Sequence, residues 1–305
     1  MIAVAAAVLI STALGVWARH RYGERAERAT DRGMNFFLWV VLPPLAYLVI
    51  ANLEIDSGVG AGIGFAYLAL AVVALVALFV ATRILALDRP STGATVNASL
   101  MANTGYLGVP LAGALLGHDA VSPAVAFDLA VSALVSQPVG FIVGAAFGTK
   151  AGEGVRERAI AAFTRNPIFI AGVVALFVPD PLAPQAAADV AKQCFVLVLP
   201  VGFFLLGVHL MGEREDGTLQ FPPPITKPIA LTIGLRLVLA PLLFVAATRL
   251  VDVPDAYLLQ VAMPTGVLSV IVAHIYGLNL RLAASAVAWT TTIVIVAAIV
   301  AGLLA

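Results

Sequence analysis

A single cysteine, Cys194, stands among 305 residues, so no intramolecular disulfide forms and no cysteine metal site is expected. The four histidines, His20, His118, His209 and His274, are scattered without metal-ligand spacing. No H-E-x-x-H, G-x-S-x-G or paired-aspartate motif occurs, and no nucleophile–base pair sits at depth, which argues against an intramembrane enzyme. A Walker A motif is missing too, so direct ATP drive is not encoded and no cofactor is implied. Charge is scarce at 11% of residues, and the formal net charge is zero, so nothing global suggests nucleic acid or an acidic partner. Short loops argue against a sensor or scaffold.

What remains is apolar. Hydrophobic residues make up 61% of the chain and mean hydropathy is +1.03, the composition of a polytopic membrane protein. Ten apolar segments are long enough to span, near 2–18, 32–50, 58–85, 91–116, 120–148, 165–179, 185–211, 225–250, 255–277 and 280–304. The first lacks a basic n-region and reads as a membrane helix, not a cleaved signal peptide. Cations gather in alternate loops: Arg19 to Arg32, then Arg83 and Arg89, then Lys150, Arg156, Arg158 and Arg165, then Arg214 and Lys227, then Arg281. The opposite loops hold only Lys192 and Arg249, so the positive-inside rule puts both termini outside a plasma (inner) membrane.

Two stretches do not suit a continuous helix. Asn103-Thr104-Gly105-Tyr106-Leu107-Gly108-Val109-Pro110 carries two glycines, two polar residues and a proline in mid-span. Gln260-Val261-Ala262-Met263-Pro264-Thr265-Gly266 is the second such place. Irregular backbone at membrane depth is tolerated only where it is buried in protein or lines a wet cavity. Val41-Leu42-Pro43 recurs as Val198-Leu199-Pro200 (200 − 43 = 157), and Pro110 recurs as Pro264 (264 − 110 = 154). Nearly equal offsets predict two five-helix repeats, 1–150 and 151–305, the second inverted because five is odd. Broken helices 4 and 9 then cross at one depth, and their half-helix N-termini offer unpaired N–H groups to an anion such as a carboxylate. The candidate substrate residues are Asn103, Thr104, Gly105, Pro110, Gln260, Pro264, Thr265 and Gly266. Taken singly, each break also fits the prolines and glycines that membrane helices carry for close packing.

Two charges lie inside spans. Asp128 is a candidate coupling site for a proton, and Arg236 a candidate attractor of the anion. The alternative is that they pair with each other or cap carbonyls.

The stretch Asn103 to Pro110 resembles the N-x-G-[FY]-x-G-x-P motif of the auxin efflux carrier family, and Gln260 to Thr265 with Ala273, Tyr276 and Gly277 resembles that family's second signature. Gly15 with its following arginines, and Val41-Leu42-Pro43, are similar to the opening helices. The resemblance implies a ten-helix all-α fold, with helices 1, 2, 6 and 7 as scaffold and helices 3–5 and 8–10 as moving transport domain. It implies small organic acids as substrates, Asn103 facing them, and a homodimer through the scaffold. The plant members' long central loop is missing, which argues for a prokaryotic type and against auxin itself, with auxin-like acids and dicarboxylates both open. The expected function is therefore secondary or potential-driven transport of organic anions. A sodium-coupled symporter of the bile-acid kind is the alternative, although the region of the ninth segment that would bind sodium offers Gln260 and no carboxylate.

Overall fold

Long apolar runs leave the backbone no polar partner but itself, so they coil into helices that close their own hydrogen bonds. The computed structural model describes residues 2–53, 57–149, 167–177, 182–215 and 222–304. The expected cations Lys150, Arg156, Arg158 and Arg165, and the boundary between 150 and 151, lie outside the described residues. Helices occupy all ten apolar segments, and no strand is present among the described residues. Four runs, Ser57–Ile84, His118–Phe147, Lys227–Ala247 and Leu280–Val300, are long and apolar enough to cross a membrane.

Small residues face inward and large ones outward. Along Ser57–Ile84, Ala66, Ala69, Val73 and Ala77 are buried, while Leu68, Leu75 and Phe79 are exposed. Lipid is as apolar as leucine, so association rests on close packing of small side chains and on polar bonds. Ile2–Tyr22 runs along Gln185–Glu215 on this principle. Gly15 lies against the Phe204 carbonyl and Gly207 against the Thr12 carbonyl, and a Cβ at either would collide with backbone. Pro167–Ala175 packs on Leu42–Ala51 beside them. The main apolar core forms elsewhere, from both halves of the chain: Val73, Leu100 and Phe127 join Phe244, Tyr257 and Tyr276.

Five π-helical turns interrupt the α-helices among the described residues: Phe37–Val41, Val80–Ile84, Thr104–Gly108, Asp128–Ser136 and Leu235–Leu239. Each widens the helix locally and frees backbone groups, a feature frequent at functional sites. Three of them carry Thr104, Asp128 and Arg236.

Overfilling a backbone-to-backbone contact costs about 1–3 kcal/mol. Gly15→Leu and Gly207→Leu are each expected to lower the thermal midpoint in detergent. Gly60→Leu, in open space, serves as the control and leaves the midpoint unchanged.

Candidate functional site

The helix Arg89–Leu100 is buried at every residue from Ser91 onward, although it is rich in hydroxyls. Asp88 caps it, accepting the Ser91 N–H at 3.1 Å. Thr95 donates to the Ser91 carbonyl and Ser99 to the Thr95 carbonyl, each at 2.8 Å, so the buried hydroxyls are satisfied within the helix. The helix ends at Met101, which is extended, and Asn103 is also non-helical. The chain resumes as the π turn Thr104–Gly108 and the α-helix Val109–Leu116.

The break therefore lies at Met101 to Asn103, not at Pro110. Pro110 occupies the first turn of Val109–Leu116, where a missing N–H is tolerated. In the ninth segment Asp255–Val261 and Leu268–Tyr276 flank the break, and Pro264 sits within it. The expected equivalence of Pro110 and Pro264 does not hold.

The two breaks meet directly. The Asn103 N–H donates to the Pro264 carbonyl at 2.8 Å, and the Gly266 N–H donates to the Met101 carbonyl at 2.7 Å. Ala102 and Thr265 form the antiparallel bridge between these bonds. One offset relates donor to donor and acceptor to acceptor, 163 in both cases (266 − 103 and 264 − 101). Gly266 eases this approach, because a Cβ would stand 3.0 Å from the Ala102 carbonyl oxygen. The N–H groups expected to wait for an anion are thus partly committed, and the Thr265 N–H is taken by Thr290 Oγ1 at 3.0 Å.

Side chains complete the crossing. Thr265, fully buried, donates its hydroxyl to the Ala98 carbonyl at 2.8 Å, and Ser136 donates to the Leu100 carbonyl at 3.0 Å. On the other helix a guanidinium does this work. Arg236, only 3% exposed, donates Nε to the Met263 carbonyl at 2.9 Å and Nη2 to the Val261 carbonyl at 2.5 Å. A cation at a helix C-terminus also complements the dipole. Gln260, with no exposure, donates Nε2 to the Ala124 carbonyl at 2.9 Å. Its Oε1 packs on Gly108 without a hydrogen bond. Asn103 is half-buried, and its side chain does not cap the helix that follows.

Asp128 joins the crossing through Thr104, whose hydroxyl donates to Oδ1 at 2.5 Å. Gly105 lets the carboxylate approach, since a Cβ there would stand 3.1 Å from Oδ2. Asp128 and Arg236 form no salt bridge with each other. Ser132, which sequence reasoning missed, lies 2.6 Å from the Thr104 hydroxyl. The signal was available: Asp128, Ser132 and Ser136 recur every four residues, one polar stripe on an apolar helix. A cavity of about 20 Å³ opens between Thr104, Ser132, Ser136, Arg236 and apolar neighbours, room for about one water. No cluster of acids, histidines and cysteines suited to a metal occurs among the described residues.

Residues 155–301 match the family model described as membrane transport protein. That segment is an auxin efflux carrier family domain. The transporter domain includes the second break and Arg236, while Asn103 and Asp128 lie before it. No curated protein gives a match to the chain. The match over residues 155–301 indicates a membrane transporter, and the four long apolar helices agree with a multi-pass membrane protein.

Removing the Arg236 guanidinium leaves two buried carbonyls of this transporter without donors. Arg236→Leu is expected to destabilise by about 1–3 kcal/mol, with Arg236→Lys in between, read from thermal unfolding in detergent.

Proposed function

We propose that the chain is a secondary transporter of small organic anions, carboxylates of the dicarboxylate or auxin-like kind. Substrate binds at the crossing of the two broken segments and is released by alternating access. The observation that carries this reading is the crossing itself. Two stretches of non-helical backbone pair with one another through two main-chain hydrogen bonds in the middle of the packed helices, and the Asn103 side chain beside them is left without a capping role. Non-helical backbone at membrane depth is characteristic of a transport site.

Asn103 is the residue assigned to hold the carboxylate. Gln260, Thr265, Pro264 and Gly266 hold the second break in shape, and Thr104 and Gly105 link the site to Asp128. The antiparallel meeting of the two broken segments supports an inverted repeat, with the halves at 1–150 and 151–305. The packing of Ile2–Tyr22 on Gln185–Glu215 and of Pro167–Ala175 on Leu42–Ala51 supports a scaffold, against which Val109–Leu116 of the transport helices also rests. On that reading the scaffold is also the surface for a homodimer in the plasma membrane, with both termini outside.

Charge movement in reconstituted vesicles on a solid support tests the proposal. Malonate and succinate are expected to evoke a current without sodium. Asn103→Ala is expected to lower it by more than about tenfold, a loss of roughly 1.4 kcal/mol or more at the site, while thermal stability stays unchanged. An undiminished current from folded Asn103→Ala removes the crossing as the site, and a current that needs sodium turns the reading to a sodium symporter.

A further inference from the structure

Asp128 begins a π-helical turn inside the run His118–Phe147, and among the described residues no salt bridge reaches it. Asp128 is partly buried, and a carboxylate inside a span without a cation beside it is unfavourable, so a proton on it is favoured. The hydrogen bonds point the same way. Thr104 Oγ1 lies 2.5 Å from Asp128 Oδ1 and 2.6 Å from Ser132 Oγ. A hydroxyl has one proton to donate, so Thr104 donates to Asp128 and Ser132 donates to Thr104. Oxygens at this range are hydrogen-bonded to one another. A metal ion seated among them would hold its ligands farther apart. Thr104 and Ser132 both line the cavity of about 20 Å³, so they stand between it and the carboxylate.

The geometry points to a proton site in which Ser132 and Thr104 relay a proton from cavity water to Asp128, and protonated Asp128 accompanies the anion bound beside it at Asn103. The relay balances. A hydronium in the cavity gives a proton to Ser132 Oγ, Ser132 gives its own to Thr104 Oγ1, and Thr104 gives its own to Asp128 Oδ1. Each hydroxyl gains one O–H bond and loses one. The carboxylate becomes a neutral acid, water remains in the cavity, and all three hydrogen bonds reverse direction.

The other groups near Asp128 do not take its place. Tyr106 is on the turn that carries Thr104, and the Tyr67 hydroxyl is engaged with the Ala130 carbonyl at 2.9 Å. Arg236 lines the same cavity but is bonded to the Val261 and Met263 carbonyls. The packed helices Val121–Phe127, Gln137–Phe147 and Pro167–Ala175 carry no titratable residue. Asn103 directly precedes Thr104, so an anion held there lies close to the Asp128 charge. Two negative charges at that range in low dielectric repel strongly. Binding the anion therefore favours protonated Asp128, and by reciprocity protonation favours the anion. The outcome is one proton per anion. This coupling rests on the organic-anion reading of the crossing, whereas the proton site does not.

Infrared difference spectra of the reconstituted protein during a pH titration test the site without any substrate. A protonated-carboxyl band is expected to appear on acidification, to be absent from Asp128→Asn, and to shift to higher frequency in Thr104→Val, where its hydrogen bond is lost. Thr104→Ser restores the native position. A spectrum of folded protein with no band assignable to Asp128 overturns the proposal. Malonate uptake tests the coupling. It is expected to rise by up to about tenfold per pH unit of acidification, by simple proton mass action, and to become flat in Asp128→Asn. Uptake that needs Asn103 but ignores pH in the native protein overturns the coupling and leaves the crossing as the anion site. An Asp128 band without carboxylate uptake keeps the proton site and removes the organic-anion reading.

Discussion

Two main-chain hydrogen bonds, one from Asn103 to Pro264 and one from Gly266 to Met101, are the constraint on which the centre of this protein depends. A helix that stops in mid-membrane leaves N–H and C=O groups with no water to take them, at a cost of several kcal/mol each. Here two helices stop at the same place and satisfy each other. Ala102 and Thr265 face one another as a single antiparallel bridge, a fragment of sheet inside an all-helical body. The remaining groups are met by side chains: Thr265 and Ser136 on one helix end, Arg236 on the other, and Thr290 on the Thr265 N–H. Displacing the crossing would orphan several of these at once.

The crossing is symmetric in its backbone and asymmetric in its side chains. Thr104, with Asp128 bonded to it, follows the first break, whereas Val267 follows the second. The carbonyls at the helix ends follow suit, bonded by hydroxyls in the first half and by a guanidinium in the second.

Close packing sets the rest. Gly15 and Gly207 bring two helix backbones together, Gly108 admits the Gln260 amide, and Gly105 admits the Asp128 carboxylate. None of these glycines has positive φ. Their value lies in what approaches them. The π-helical turns at Thr104–Gly108, Asp128–Ser136 and Leu235–Leu239 bear the polar residues of the centre, where one extra residue per turn redirects a side chain that a regular α-helix would aim elsewhere.

The sequence by itself determined the apolar segments, the places where two of them break, and the residues that mark the family. Length and hydropathy suffice for the first, because hydrocarbon admits only backbone that bonds to itself. Glycine, proline and polar residues in mid-span suffice for the second. Tertiary structure alone decided the register of the crossing. Pro110 looked like the counterpart of Pro264, yet it stands in the first turn of the resumed helix, since proline is tolerated there as readily as at a break. It also decided the partners. Arg236 read as an anion attractor or, more readily, as a structural pair or carbonyl cap, and only its neighbours assign it to the Val261 and Met263 carbonyls. Ser132 was legible as part of a four-residue stripe with Asp128 and Ser136, but its bond to Thr104 was not, because the two residues belong to different helices. Hydrogen bonds within a helix follow the sequence interval. Those between helices follow the packing, and no local pattern encodes them.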